Sequence, residues 1–358
     1  MLRKVIATTA ALLVGGLGGL LFYAMHAPLP WTLGSLTAAA VVAVCGGRWL
    51  VPREARDVAR PVVGILAGSA FTPAVIASIA EWWFAVAFVA AYSLVTILVG
   101  YAFFRRLCRF DRVTSFFAAT PAGLGEMTLL GGALGGNMRT LVLVHAVRIT
   151  ATVFTVPLAL QLVLGHPIGR SAFPGAAAGG LEPRDWIILG LCGLAGYGIG
   201  KLVRFPGGIM ITTMLASAAV HGSGLSEAVP PAWLVALVQV VIGAVAGARF
   251  AEIRWNEFGS IVLAAVLWAA VLLSMATVTA LLGGWILDRS SIGLLLALAP
   301  GGMVEMTVIT YTLGIDVAFV VTCQVCRNFF VLAFAPLIYR RLPGKKAGPP
   351  DKPPDADT

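Results

Sequence analysis

Acidic residues are scarce in this sequence: 16 Asp and Glu in 358 residues, beside 25 Lys and Arg. Charged residues together make up only 11% of the chain. A soluble globule carries roughly a quarter of its residues charged to cover its surface, so an ordinary water-exposed domain is excluded. Histidine is scarcer still, at positions 26, 145, 166 and 221. Four scattered histidines give no clustered ligand set for a copper or iron oxygenase, and neither a metal nor another cofactor is expected. Cys45, Cys108, Cys192, Cys323 and Cys326 lie in or beside apolar runs and lack the spacing of a secreted disulfide framework. The sequence has no Gly-x-x-x-x-Gly-Lys-Ser/Thr loop, which removes ATP-driven transport by this chain alone. No basic helix–turn–helix or aromatic-interleaved basic stripe is present, so nucleic acid is not an expected partner.

What fills the sequence is apolar. Hydrophobic residues reach 59% and mean hydropathy is +0.93. Runs of about twenty apolar residues recur from end to end, long enough to cross a hydrocarbon core about 30 Å thick. They are continuous rather than alternating, which favours helices over a membrane barrel. The expected fold is all-α: a polytopic integral membrane protein in contact with the lipid bilayer. The first run, Val5–Met25, is too long for a signal-peptide core and reads as a retained span. The net charge of +9 sits mainly in short loops between apolar runs, where it sets orientation rather than binding nucleic acid.

One unit occurs twice. Thr120-Pro-Ala-Gly-Leu-Gly-Glu-Met-Thr128 returns as Ala299-Pro-Gly-Gly-Met-Val-Glu-Met-Thr307, an offset of 179 residues measured from Glu126 to Glu305. The same offset carries Arg148 onto Arg327 and Pro157 onto Pro336. It also carries Val62–Phe71, with Gly64-x-x-x-Gly68, onto Val241–Phe250, with Gly243-x-x-x-Gly247. Residues 1–165 read as the first membrane repeat, 166–185 as a Gly/Ala/Pro-rich linker and 186–342 as the second repeat. The Pro-, Lys- and Asp-rich tail 343–358 is expected to be disordered. Each repeat holds six apolar segments, which gives about 10–12 transmembrane segments in total. If one segment per repeat fails to cross, the repeats are inverted. Inversion gathers most basic clusters (Arg48 to Arg60, Arg105 to Arg112, Lys201/Arg204, Arg249/Arg254, Arg340 to Lys346) on one side, as the positive-inside rule favours.

The segments that fail to cross are expected where Pro121 and Gly123, and Pro300 and Gly302, interrupt an apolar run. Proline removes a helical hydrogen bond and glycine weakens helical preference. Backbone freed inside a membrane must line a cavity or be buried in protein, and interrupted helices at matching places are the best sequence pointer to a transporter's site. Glu126 and Glu305 follow these breaks directly. They are candidates for proton or ion coupling or for substrate contact; the competing role is capping of the broken helix. Arg148 and Arg327 stand in the next segment. They could form ion pairs with the glutamates or recognise an anionic substrate. Thr128 and Thr307 could add hydroxyl contacts, although such residues commonly bond back to their own helix. His145, opposite Gln324 in the second repeat, reads first as structural, and the paired Gly-x-x-x-Gly motifs as close helix packing.

These repeated motifs, with Pro28-Leu-Pro-Trp-Thr-Leu-Gly-Ser-Leu36, resemble the bacterial AbrB membrane-protein family over about residues 5–340. The resemblance implies a duplicated hydrophobic domain, and members carry labels as different as transporter, regulator of gene expression and ammonia monooxygenase. It is distinct from the small DNA-binding regulator of the same name. The second repeat departs at Pro206-Gly-Gly, so any role of Trp31 is not doubled. The expected function is secondary transport of a small solute, an organic anion for preference, by alternating access between the broken segments and with proton coupling. The alternative is a membrane-embedded regulator or scaffold without transport. An oxygenase lacks its ligands in this chain, and no enzyme activity is expected. The expected location is the bacterial inner membrane, with basic loops and C-terminus cytoplasmic and self-association open to the chain.

Overall fold

In hydrocarbon a backbone N–H or C=O has no water to bond, so a spanning chain satisfies these groups within helices. A computed structural model describes residues 2–46, 53–165, 168, 181–203, 207–248, 250 and 259–341. The described residues form helices and no strand. In order these are α1 (Leu2–Ala24), α2 (Pro30–Val44), α3 (Arg53–Gly68), α4 (Pro73–Ser78), α5 (Trp83–Ala102), α6 (Arg112–Ala119), α7 (Leu124–Ala133) and α8 (Met138–Leu164). Then come α9 (Pro183–Val203), α10 (Gly208–Gly222), α11 (Ala232–Ala248), α12 (Gly259–Leu287), α13 (Ser291–Leu298), α14 (Met303–Thr312) and α15 (Val317–Arg341). Five stretches are long and apolar enough to cross a membrane: Pro73–Leu107, which contains α4 and α5, and the helices α8, α9, α12 and α15. The protein is an all-helical, polytopic membrane protein.

Helix starts and stops fall at the same offset in the two halves. α6 and α13 begin at Arg112 and Ser291, α7 and α14 at Leu124 and Met303, and α8 and α15 at Met138 and Val317. The caps match too. Asp111 and Ser290 accept the amides of Thr114 and Gly293, at 2.9 and 3.2 Å. Asn137 and Asp316 accept those of Thr140 and Phe319, at 3.1 and 3.0 Å. The first arms α6 and α13 and the long helices α8 and α15 are thus closed at their starts by side-chain acceptors, whereas α7 and α14 start at Gly123 and Gly302 without one. Gly135 and Gly314 end α7 and α14 with φ of +87° and +64°, a conformation that favours glycine.

The expected broken segments, 114–134 and 291–314, each turn back on themselves. Just past α7, the amide of Asn137 donates to Oγ1 of Thr114 in the first turn of α6, at 2.8 Å. A Cβ on Gly293, at the start of α13, would lie 3.1 Å from Cγ2 of Ile315 just past α14. Arg289 and Asp316, flanking that hairpin, pair at 4.0 Å. Each arm of eight to ten residues is about 12–15 Å long, roughly half the thickness of a 30 Å hydrocarbon core.

The helices gather into two groups. One packs side by side in the order α1, α2, α11, α3, α10, α9, so that helices of the two halves interleave at its centre, where α11 lies between α2 and α3. Glycines set the spacing there. A Cβ on Gly64 or Gly68 of α3 would meet the carbonyls of Met210 and Met214 of α10 at 2.7 and 2.5 Å, and Gly243 and Gly247 of α11 lie against α2 in the same way. The other group holds α5, α8, α12, α15 and both hairpins, with the first arms α6 and α13 almost wholly buried.

Two expectations need adjustment. Arg53, Arg56 and Arg60 are on α3 rather than in a loop, because the helix runs past the apolar core and Asp57 pairs with Arg60 at 3.1 Å. α9 begins at Pro183, inside the stretch read as linker; proline suits a first helical turn, where its missing N–H is not needed. The rest of the linker up to 180 (Ile168 apart), the tail 343–358, Pro206 and the basic residues Arg48, Arg204, Arg249, Arg254, Lys345 and Lys346 lie outside the described residues.

Gly64→Leu and Gly243→Leu should each destabilise the protein by about 1–3 kcal/mol, the usual cost of overpacking. Gly198→Ala, where the new Cβ meets nothing within 4 Å, should be neutral or slightly stabilising. Thermal unfolding in detergent separates the two cases; equal effects at all three positions would contradict this packing.

Candidate functional site

A helix that ends inside a protein leaves its last carbonyls without intrahelical partners. At the tip of the first hairpin, Arg148 of α8 donates from Nη1 to the Thr120 carbonyl at 3.1 Å and from Nη2 to the Ala122 carbonyl at 2.9 Å. At the second tip, Nη1 of Arg327 on α15 faces the carbonyls of Ala297, Leu298 and Ala299 at 2.9, 2.8 and 2.9 Å. Both arginines are buried, at 2% and 3% exposure. A guanidinium at a helix C-terminus meets the negative end of the helix dipole, and its hydrogen bonds are charge-assisted and strong.

The hydrogen bonds of Arg148 and Arg327 therefore go to backbone carbonyls, whereas the sequence also offered ion pairs with the glutamates. The reason is polarity within the hairpin. Each arginine serves the C-terminal end of a first arm, whereas each glutamate stands in the first turn of the second arm, at the positive end of that helix. Glu305 is buried, and its carboxylate folds back so that a Cβ on Gly302 would overlap Oε2. Gly302 is thus required by a close approach; its backbone is extended, as is that of Gly123. Glu126 occupies the equivalent first turn of α7, but its side chain lies outside the described residues. Pro121 and Pro300 lie in the breaks, between α6 and α7 and between α13 and α14.

The threonines divide. Thr307 donates back to the Met303 carbonyl at 2.7 Å, whereas the buried Oγ1 of Thr128 makes no hydrogen bond. Two contributors were not picked out from sequence as parts of the site. Gln324 donates to the Leu296 carbonyl at 2.8 Å and so adds a further tie on the first arm of the second hairpin. Thr152, one turn beyond Arg148, lies against the second tip: a Cβ on Gly301 would stand 3.1 Å from its Cγ2. The only hint of Gln324 was its alignment with His145, itself wholly buried with neither ring nitrogen hydrogen-bonded. With Arg148 at one tip and Thr152 at the other, the two tips share α8 as a neighbour. They differ in their surroundings. Met303 and Val304 pack against a cluster formed by Ala59 and Val63 of α3, Met210 of α10 and Val238 and Ile242 of α11, while Gly123 is exposed and a Cβ on Gly125 would meet nothing within 4 Å. Among the described residues no group of three or more His, Cys, Asp or Glu could hold a metal ion.

A family model described as "Transition state regulatory protein AbrB" matches residues 31–343, a stretch that takes in both hairpins and both arginines. The chain belongs to the AbrB family. Relatives within it include "Uncharacterized protein YhjN" of Bacillus subtilis (strain 168), 26% identical over 352 residues, covering 92% of this chain and 91% of that protein. A second, "Putative regulator AbrB" of Escherichia coli (strain K12), is 26% identical over 334 residues, covering 89% and 91%. The alignments run almost end to end, so these AbrB relatives match the whole helical assembly and not an isolated segment.

Replacing Arg327 by Gln or Lys strands hairpin carbonyls in a buried site, at about 1–3 kcal/mol for each group left unpaired. Arg327→Lys should lower the unfolding temperature more than Arg148→Lys, since Arg327 faces three carbonyls and Arg148 two. Wild-type stability in both variants would show that the carbonyls find other partners.

Proposed function

We propose that this protein is a secondary transporter of a small solute, with its site between the two hairpin tips. The observation that carries the reading is the pair of buried hairpins whose tips end beside Arg148 and Arg327. Open backbone at membrane depth is costly, and transporters place it where a substrate or ion passes. Glu126 and Glu305, each at the N-terminal end of a second arm, are the proton carriers in this reading. A carboxylate buried at membrane depth is a functional candidate by default. The difference between the tips, one packed on α3 and the other exposed at Gly123, supports alternation between two arrangements in which the packed tip changes.

The hairpins also bear on orientation. With α6–α7 and α13–α14 not crossing, α1, α2, α3, α5 and α8 leave an odd number of crossings per half. Two such halves are inverted with respect to each other. That arrangement sets Arg3, Lys4, Arg105, Arg106, Arg109, Arg340 and Arg341 on one side, which by charge is the cytoplasm of a bacterial inner membrane. The word "regulator" in one relative's name belongs to that protein and supplies no residue-level role here.

Two measurements test this. In a cysteine-free background, Arg109→Cys and Asn137→Cys should label from the cytoplasmic side, and Asp288→Cys and Asp316→Cys from the opposite side. Labelling of either pair from different sides would refute re-entry. In proteoliposomes, an imposed proton gradient should drive uptake of a small organic anion, and Glu305→Gln should lower the rate at least about tenfold, the scale of one lost charged interaction. Flux indistinguishable from empty vesicles for organic acids, amines and ammonium would favour the scaffold reading.

A further inference from the structure

One cavity reaches a tip arginine. A groove of about 390 Å³ lies between α5, α10 and α15 and is lined by Val86, Ala90, Ile211, Val325, Phe330 and Arg327, among others. That volume falls at the lower end of the range for small-molecule sites. Its rim includes Phe329 and Phe334, which are 58% and 44% exposed. Both are in the interior of α15, so the groove opens on the apolar flank of the bundle rather than at an end of it.

The chemistry at its floor is specific. All the hydrogen bonds of Arg327 leave from Nη1. Nε is buried and makes none, and Nη2 makes none either. Nε and Nη2 form one edge of the planar guanidinium, the two-donor fork that matches a carboxylate. Tyr92 of α5, a buried phenol, lies within electrostatic reach of Arg327. Arg148 does not repeat the arrangement, because its Nη2 is committed to the Ala122 carbonyl.

We propose that this groove binds a monocarboxylate with an apolar tail, the carboxylate bridging Nε and Nη2 of Arg327 and the tail lying along Phe329, Phe330 and Phe334. A free cationic edge at the end of an apolar groove selects for one anionic group joined to an apolar body. A compact hydrophilic anion would leave the groove unfilled, and an uncharged amphiphile would leave the fork unpaired. This deepens the transport reading and rests on it for purpose, since it names the class of solute carried. The ligand would enter sideways from the bilayer.

The test uses the full chain in phosphatidylcholine nanodiscs with radiolabelled decanoate. Saturable binding above protein-free discs is expected, with decanol at least about tenfold weaker as a competitor, the scale of a lost charge-assisted pair. Arg327→Lys should weaken binding by a similar factor. Because that variant also disturbs the hairpin, Ala90→Trp provides the second arm: it fills the groove, leaves Arg327 in place and should abolish decanoate binding. No saturable binding, equal competition by decanol, or unchanged binding in Ala90→Trp would each overturn the proposal. So would complete displacement by phosphatidylglycerol added to the discs, which would make the groove an anionic-lipid site. Binding without flux would sink the transport reading and leave the site; flux of short organic acids without decanoate binding would do the reverse.

Discussion

Everything distinctive in this fold depends on a buried guanidinium holding the end of a short helix inside the protein. A helix of eight residues that stops there leaves several carbonyls in a place where neither water nor the next turn can satisfy them. Arg327 turns the two N–H groups of Nη1 toward three such carbonyls, and Arg148 donates to two. The interaction works in both directions. The carbonyls solvate a cation that would otherwise be costly at that depth, and the cation lets the backbone turn back. The remaining charge follows the same rule, since each glutamate is placed at the N-terminal end of the returning arm, where an anion is favoured.

That polarity explains why Glu305 and Arg327 need not pair, although both are buried near one tip. Each is matched to a helix end. A direct ion pair would satisfy the side chains and abandon the backbone, and in hydrocarbon the backbone is the larger liability because it cannot be moved or neutralised. The small residues follow from the same constraint. Gly302 makes room for the Glu305 carboxylate, and Pro121 and Pro300 bring no N–H of their own to the open turn. Away from the hairpins, Gly64, Gly68, Gly243 and Gly247 let α3 and α11 approach α10 and α2 backbone to backbone. They form a close-packed wall against which the hairpin group lies.

How much of this was legible in the sequence follows from which forces are local. Hydrophobic run length reports the helices because a span must be both long and apolar, and the repeated Pro-Gly motif located both breaks because those residues act on their own backbone. The start of α3 at Arg53 was missed because the helix continues past the apolar core, where hydropathy has no power and the Asp57–Arg60 spacing is too common to notice. The partners of Arg148 and Arg327 were missed for a different reason. A side chain's identity says that it needs acceptors, and a backbone carbonyl has no letter of its own in a sequence. Gln324 shows the same limit: its amide ties to the Leu296 carbonyl, a contact between residues 28 apart that only the folded hairpin creates.

The two halves share their helix boundaries and caps, yet their arginines are not used alike. Arg148 spends both terminal amino groups on its hairpin, while Arg327 concentrates its bonds on one and leaves the other edge free. A residue in the second state joins a structural duty to an available one. Any anion that takes the free edge draws charge away from the three carbonyls and changes what holds the tip in place. The same guanidinium would then report occupancy of the groove to the hairpin without a relay of intervening side chains. Coupling of this kind requires a differential interaction between ligand-bound and ligand-free arrangements. The packing of Met303 and Val304 against α3, α10 and α11 offers the second arrangement, because Gly125, the counterpart of Val304, has no side chain with which to repeat it. The asymmetry between the halves, rather than their likeness, is therefore where a working cycle would be driven.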